Sequence, residues 1–351
     1  MVMTSYERYM AVCQLREPDR VPVSPFIMTF AAKLAGVPYI DYCRTGEVMA
    51  EAQLACIRRF GYDAAALGSD AVREAETVGA TIRWQKDEVP AATGEPLIKS
   101  RDDLRKLRLP DPLGKNRMHE QIKALKILRR ELGDDEIVYA WVEAPFQESA
   151  MLRNINYFMM DLVGDPPLVH ELMRFSLELE LSFGLAQIEA GARFIGIGDS
   201  IASLVSPDHY QQFNFPYISE LIAGLKAAGA RVKYHACGNT KALLPFFAKL
   251  GADIINLDSL IDLKEAKLIL GNNVCIKGNF SPTAILLRGT PETVRKAARR
   301  CILEGGLHGG FILSPGCEVP RDTPTENLEA LIAVAKTDGI YPLNPDDLMN
   351  T

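Results

Sequence analysis

The sequence lacks several features that would each assign it to a distinct class of protein. No apolar run approaches the roughly 20 residues of a membrane-spanning helix, and the charged N-terminus has no signal-peptide core. Acidic residues (45) outnumber Lys and Arg (39), and no basic stripe interleaved with aromatic residues occurs, which disfavours nucleic acid as a partner. The 7 cysteines are odd in number and scattered, unlike a secreted disulfide framework. We therefore expect a soluble, cytoplasmic protein with neither a membrane nor a nucleic-acid partner.

Histidine is also scarce, but one of the 5 histidines stands two residues before a cysteine, in His235-Ala236-Cys237. On an extended segment both side chains point the same way, because strand side chains alternate with period two. Cys317, in a Ser-Pro-Gly-Cys run, would supply a third soft ligand. Three protein ligands and one open position are typical of a catalytic zinc site. The competing interpretation is three unrelated core or loop residues, since single buried cysteines are common.

Short apolar runs alternate with helical patterns along the chain, as in parallel βα units. The length and mixed composition also suit one large core. Eight runs are candidate strands, and eight strands separated by helices predict a (β/α)8 TIM barrel of the α/β class. The runs are Arg20–Met28, Tyr62–Ser69, Ile137–Glu143, Arg193–Asp199, Ala230–Cys237, Ala252–Asp258, Asn273–Asn279 and Gly310–Ser314.

Other segments fit around this barrel. Helices are predicted over 208–228, 240–250 and 290–304, where Pro291 suits a first helical turn. An N-terminal helical extension (residues 1–18) is expected, with its helix over Ser5–Leu15. Residues 79–98 alternate and then return through prolines and glycines, which predicts a β-hairpin excursion after strand two. With no clear linker, we predict one barrel domain over residues 1–351.

Polar residues stand at the ends of most predicted strands, where a parallel barrel carries its chemistry. Asp70, Asp199 and Glu143 are candidate catalytic residues, and Asn279 and Glu76 are candidate substrate-binding residues. Glu143 lies in an apolar run, so it is either a satisfied inward residue or a general acid with a shifted pKa. Glu76 could equally cap a helix or face solvent.

The ligand types suggest a reaction. Two thiolates and a neutral imidazole make a zinc complex formally neutral, and an incoming thiol would lose its proton on coordination. A third sulfur would make the complex negative and keep the sulfurs nucleophilic, which suits methyl transfer to a thiol better than hydrolysis. An ether or amine substrate could instead use the zinc to stabilise its leaving group. Glu74, Glu76 or Glu143 could fill the open position in the resting state.

Four segments resemble the uroporphyrinogen decarboxylase superfamily and, within it, its zinc-dependent corrinoid methyltransferase branch (methylcobalamin:coenzyme M methyltransferase-like). The true decarboxylase has an arginine-bearing segment after strand one, whereas the matching stretch here, Pro25–Lys33, is apolar. Near strand eight the chain has Leu-Ser-Pro-Gly-Cys317 where the decarboxylase has a histidine-bearing run. The resembling segments are Gly198–Tyr210, His235–Thr240, Lys277–Pro282 and Phe311–Pro320. Two shorter stretches, Thr323–Asn327 and the N-terminal Arg16–Pro22, also resemble the family.

The resemblance implies a barrel in which His235, Cys237 and Cys317 bind Zn²⁺. It also implies a methyl transfer between a corrinoid, carried by a separate corrinoid-binding protein, and a small-molecule methyl donor or acceptor. The acceptor could be a thiol such as coenzyme M, and the donor a methoxylated or methylated compound. Two alternatives stay open at this point: a metal-free decarboxylase-type lyase, and a non-catalytic module that binds a corrinoid protein.

Overall fold

The computed structural model describes residues 2–271 and 273–349, so residues 1, 272, 350 and 351 of the predicted domain lie outside the described part. Seven strands form one parallel sheet in the order β1-β4-β5-β6-β7-β8-β9, and β2 and β3 form a separate pair. The strands are β1 (Ala64–Ala66), β2 (Ile82–Arg83), β3 (Ala91–Ala92), β4 (Ile137–Glu143), β5 (Phe194–Asp199), β6 (Arg231–Ala236), β7 (Ile254–Leu257), β8 (Cys275–Phe280) and β9 (Phe311–Pro315).

Helices surround this sheet. The α-helices are α1 (Ser5–Cys13), α2 (Thr29–Ala35), α3 (Tyr39–Arg44), α4 (Gly46–Phe60), α5 (Arg73–Val78), α6 (Arg101–Lys106), α7 (Arg117–Leu132), α8 (Pro145–Arg153), α9 (Ile155–Gly164), α10 (Pro166–Glu189), α11 (Pro207–His209), α12 (Phe215–Ala227), α13 (Leu244–Phe247), α14 (Leu263–Leu270), α15 (Pro291–Gly305), α16 (Thr325–Thr337) and α17 (Pro345–Met349). Among the described helices, none combines the length and the apolar character that crossing a membrane requires.

The extended segment around Val23 fills the eighth place of the barrel. Val23 forms a parallel bridge with Leu313 of β9, and its carbonyl accepts a hydrogen bond of 2.8 Å from the Asp63 N–H beside β1. The (β/α)8 architecture is therefore confirmed. The prediction of a regular strand over Arg20–Met28 is wrong, because this segment makes only isolated bridges. Pro22 and Pro25 have no N–H to donate, so a continuous ladder cannot form.

The predicted N-terminal extension forms helix α1, which begins with a capping box between Thr4 and Glu7. Tyr9 packs edge-on against Tyr139 and Phe194, at ring distances of 6.0 and 5.8 Å. Phe194 is the first residue of β5. Helix α1 therefore covers the end of the barrel opposite the carboxyl ends of the strands, and those ends remain free to form a site.

The connecting elements follow the predicted pattern with one exception. The hairpin after the second barrel position forms as the antiparallel pair β2–β3, and α15 begins after Thr290, whose side chain caps it. The region 208–228 is helical through α11, a π-helix over Tyr210–Asn214, and α12. The region 240–250 is less regular than predicted: a 3₁₀ turn over Lys241–Leu243 leads into the four-residue helix α13.

Candidate metal centre

His235, Cys237 and Cys317 meet at the carboxyl ends of the strands. The Cys237 sulfur lies 3.2 Å from His235 Nε2 and 3.8 Å from the Cys317 sulfur. One ligand atom from each residue lies within 4.8 Å of the other two. The other ring nitrogen, His235 Nδ1, is 3.1 Å from the Asn256 carbonyl. A protonated Nδ1 leaves Nε2 as the metal-binding nitrogen, which is how metal-ligating histidines are usually oriented.

The two thiols are strongly coupled. The hydrogen bond from Cys237 lowers the pKa of Cys317 to about 4, with burial opposing and His235 assisting. The same bond, together with burial and the neighbouring charge, raises the pKa of Cys237. A cation bound by both sulfurs would replace the proton of this hydrogen bond. The donor set of two sulfurs and one imidazole nitrogen fits Zn²⁺ and not a hard cation.

Strand register explains why a cavity opens beside these ligands. Glu143 pairs with Gly198, which in turn pairs with His235, so the three residues form one row across β4, β5 and β6. Gly198 has no side chain, and a Cβ there would lie 2.9 Å from Glu143 Oε2. The absence of a side chain at Gly198 therefore makes room for the Glu143 carboxylate and the Trp141 ring, which line the cavity beside His235.

The resulting cavity has a volume of about 200 Å³ and is lined by aromatic, acidic and sulfur-bearing side chains. Phe26 and Trp141 stack at a ring distance of 4.5 Å and form an apolar wall. No Lys or Arg belongs to the described lining. Lys233 lies behind the wall, with its amine 4.4 Å from the Trp141 ring, and burial lowers its pKa well below the usual value. The side chains in the lining are Phe26, Met28, Ser69, Asp70, Ala71, Val89, Trp141, Glu143, Asp199, Ser200, His235, Cys237, Cys317 and Glu318.

Asp70 lines the cavity as an ionised group. Both of its carboxylate oxygens accept hydrogen bonds from the Arg117 guanidinium. Burial alone would raise the pKa of Asp70, but the charge and hydrogen bonds of Arg117 outweigh it, and the pKa is lowered. Asp70 is therefore suited to orienting a substrate and poorly suited to delivering a proton.

Glu143 and Asp199 have the opposite electrostatic character. Burial raises the pKa of Glu143 well above its usual value, Glu74 adds to this effect, and Arg73 opposes it. The Trp141 indole donates a hydrogen bond of 3.1 Å to Glu143. Burial also raises the pKa of Asp199, although hydrogen bonds from Asn214 and Tyr234 oppose the shift. The hydrogen bond from Trp141 fits a satisfied inward residue and the raised pKa fits a general acid, so both interpretations of Glu143 remain predictions.

Glu318 is a site residue that the strand-end argument missed. It lines the cavity, and its carboxylate accepts hydrogen bonds from the Thr29 N–H (2.8 Å) and hydroxyl (2.6 Å). Burial raises the pKa of Glu318 to about 7. Its position next to Cys317 in the sequence was the available signal.

Two predicted substrate-binding residues do not line this cavity. The Asn279 amide donates to the carbonyls of Asp258 (3.1 Å) and Ile261 (2.6 Å), so it holds the loop after β7. Glu76 accepts a hydrogen bond of 3.0 Å from Arg117. Glu76 lies on α5, and it lines a depression on a different part of the protein surface. The group of three ligand atoms includes no carboxylate from Glu74, Glu76 or Glu143, so no protein fourth ligand is evident in the described residues.

We expect Gly196→Ala to destabilise the protein by about 1 to 3 kcal/mol, the usual cost of overpacking a tight core. A Cβ at Gly196 would lie 2.4 Å from the Trp141 ring, so the cavity wall would have to move. Denaturant unfolding measures the loss. Gly164→Ala is the matched control, because no heavy atom of the described residues lies within 4 Å of its added Cβ. Equal stabilities of the two variants would contradict this packing.

Comparison with known proteins places the chain in a family. The family model for uroporphyrinogen decarboxylase (URO-D) matches residues 4–337. The chain belongs to this family. Two kinds of enzyme occur among its relatives. The chain is 28% identical to the uroporphyrinogen decarboxylase of Carboxydothermus hydrogenoformans, covering 84% of each protein. It is 29% identical to the methylcobamide:CoM methyltransferase MtaA of Methanosarcina barkeri, covering 93% of this chain and 96% of that protein.

A solved structure shows the same architecture. A methyltransferase from Methanosarcina mazei superposes with a TM-score of 0.87 at 26% identity, covering 95% of this chain and 98% of that one. The two groups of relatives are enzymes that are about equally similar in sequence to this chain. Identity alone therefore does not separate methyl transfer from decarboxylation, and the chemistry of the cavity has to be considered.

Proposed function

We propose that this protein is a zinc-dependent methyltransferase that moves a methyl group between a corrinoid on a separate carrier protein and a small substrate. The observation that carries the proposal is the convergence of His235, Cys237 and Cys317 on one side of the cavity. Zinc bound there would act as a Lewis acid toward a substrate sulfur, oxygen or nitrogen. Decarboxylation of a porphyrinogen needs no metal and gives no reason for such a donor set.

The cavity supports this choice over decarboxylation in two ways. Its volume of about 200 Å³ suits a small molecule and not a tetrapyrrole macrocycle. A porphyrinogen bearing several carboxylates would also need cationic partners. The described lining instead includes Asp70, Glu143, Asp199 and Glu318, with neither Lys nor Arg.

The same lining favours a neutral methyl donor over an anionic acceptor. The sulfonate of coenzyme M would find neither Lys nor Arg in the described lining, and the ionised Asp70 lies in the same cavity. Phe26, Met28 and Trp141 offer apolar contact to an aromatic or aliphatic methyl ether. When the bond between methyl carbon and oxygen breaks, the leaving oxygen needs a proton. Glu143, with its raised pKa, holds one at the cavity wall.

The roles of the remaining residues follow from their contacts. Asp70, kept ionised by Arg117, would orient the polar end of the substrate. The Phe26–Trp141 wall excludes water from the reacting centre on its side. Asp199 is fixed by hydrogen bonds from Asn214 (2.8 Å) and Tyr234 (2.9 Å), so it forms a rigid part of the wall.

A corrinoid assay tests the proposal. The zinc-loaded protein is mixed with reduced cobalamin and methyl ethers or methylamines, or with methylcobalamin and thiols including coenzyme M. The absorption spectrum of the corrinoid is then followed. We expect zinc-dependent methylation of cobalamin by a neutral donor, faster than any transfer to coenzyme M.

Other outcomes would identify the alternatives. If the protein transferred methyl groups only to coenzyme M, it would still be a methyltransferase, but the methyl group would move from the corrinoid to the small substrate. Formation of coproporphyrinogen from uroporphyrinogen without metal would establish the lyase instead. Binding of a corrinoid protein that survives Cys317→Ala, with no transfer in any assay, would identify a binding module.

A further inference from the structure

A second group of possible ligands lies apart from the zinc triad. Glu74 on α5, Glu148 on α8 and Glu180 on α10 are completely buried. One carboxylate oxygen from each lies within 4.8 Å of the other two. Three acids from three different helices thus converge behind the end of β4.

Most oxygens of this group have no hydrogen-bond partner. Glu74 Oε1 pairs with Arg73, and Glu180 Oε2 accepts a hydrogen bond of 3.1 Å from the Glu143 N–H. The other four oxygens are buried without a partner in the described part of the chain: Glu74 Oε2, Glu180 Oε1 and both oxygens of Glu148. Buried polar atoms without a partner are rare in folded proteins, and a bound ion often satisfies them.

Glu148 is the most informative of the three residues. It stands on its own helix and is 0% exposed, and neither oxygen contacts a donor among the described residues, although both are enclosed with the other acids. Burying an ionised carboxylate without a partner is strongly unfavourable. Folding therefore has to supply this side chain with a cation or a proton.

The charges indicate which occupant fits. Three carboxylates and the Arg73 guanidinium leave a net charge of −2 inside the protein. We propose that Glu74, Glu148 and Glu180 bind a divalent cation that balances this charge. The donors are all oxygen, which selects a hard ion such as Mg²⁺, Mn²⁺ or Ca²⁺ over zinc.

The bound ion would act as a structural support for the cavity. It would tie α5, α8 and α10 together, and through Glu180 it would fix the backbone of Glu143 at the end of β4. The proposal does not depend on methyl transfer, because its residues do not belong to the zinc triad. The alternative is that two protons balance the charge in place of a metal ion. Burial raises the pKa of all three carboxyl groups when no ion is present.

Metal analysis by mass spectrometry tests the proposal on the full-length protein. The protein is incubated with Mg²⁺, Mn²⁺ and Ca²⁺ and then desalted, and zinc and hard cations are counted separately. We expect about one hard divalent ion per chain in the wild type and in the Cys317→Ser variant. Glu148→Gln and Glu180→Gln should lose this ion and keep the zinc. Glu178→Gln, an exposed position on α10, is the matched control and should keep both.

Electron paramagnetic resonance of bound Mn²⁺ gives a second readout that does not require the variants to fold. A single tight Mn²⁺ signal, displaced by Ca²⁺ or Mg²⁺, is the expected result. No hard cation in the wild type would overturn the proposal, and an increase in thermal stability of Glu148→Gln would assign the site to protons. A wild-type protein that lacks zinc but retains the hard cation would contradict the proposed function and leave this second site unaffected.

Discussion

We expect the Cys317→Ser variant to lose its zinc and to transfer methyl groups at least about a thousandfold more slowly than the wild type. The Cys317 sulfur lies 3.8 Å from that of Cys237 and is the one ligand supplied from beyond β9. Serine is a poor zinc ligand near neutral pH, and two remaining ligands do not hold the metal tightly. A Lewis acid contributes several kcal/mol to a transition state, which corresponds to this loss in rate.

The measurement is the corrinoid assay combined with zinc analysis of the same samples. Cys13→Ser is the matched control, because Cys13 is also half-buried but ends helix α1 at the other end of the barrel. It should keep full zinc and activity. If Cys317→Ser retained methyl transfer within a factor of about ten, the triad would not be the reacting centre.

The second large effect is on stability. We expect Arg117→Met to lower the free energy of unfolding by about 3 to 5 kcal/mol at neutral pH, the usual cost of removing one partner of a buried ion pair. Arg117 is 8% exposed and binds both oxygens of Asp70, whose side chain is fully buried. The variant leaves that carboxylate without its cation. Denaturant unfolding of the two proteins measures the difference.

The sign of the pH dependence follows from the lowered pKa of Asp70. A carboxyl group whose pKa is depressed by folding stabilises the protein above its unfolded pKa of about 4, and this contribution is lost as the pH falls through the folded value. The stability gap between wild type and Arg117→Met should therefore be largest at neutral pH and narrow in acid. Arg105→Met, at an exposed arginine with only a surface ion pair, should cost less than about 1 kcal/mol at any pH. A gap that is constant with pH would contradict the role of the ion pair.

The ligand triad could be predicted because it depends on simple geometry. The period of two along β6 aligns His235 with Cys237, and the parallel order of β6 to β9 brings Cys317 to the same end of the barrel. Asp70, Glu143 and Asp199 were likewise found at the cavity because each stands at or just beyond a strand end. Their metal-binding and catalytic roles remain predictions.

The structure departs from the expected positions where local detail overrides the pattern. Asn279 stands at a strand end, but its amide turns to two carbonyls of the loop after β7. Glu76 is carried away from the cavity because α5 begins only three residues earlier. The first barrel segment forms bridges and no strand because Pro22 and Pro25 lack donors. Side-chain direction depends on the folded surroundings and is not visible in residue spacing, whereas the two prolines are a signal in the sequence against a continuous strand.

The buried acids were the least predictable feature. Glu148 and Glu180 lie in helical patterns that give no sign of convergence, and the contact between α8 and α10 appears only in the folded chain. The position of Glu74 after the second barrel strand makes it a predicted candidate for the fourth zinc ligand. In the structure it joins Glu148 and Glu180.

X-ray absorption spectroscopy of the purified, reduced protein at the zinc edge tests the central claim most directly, when paired with the zinc content per chain. We expect about one zinc per chain with two sulfur neighbours near roughly 2.3 Å and one nitrogen near roughly 2.0 Å, the usual distances for such ligands. A folded protein that takes up no zinc after reconstitution, or holds it with oxygen ligands alone, would contradict the account. The family relationship would then stand without the proposed methyl-transfer site.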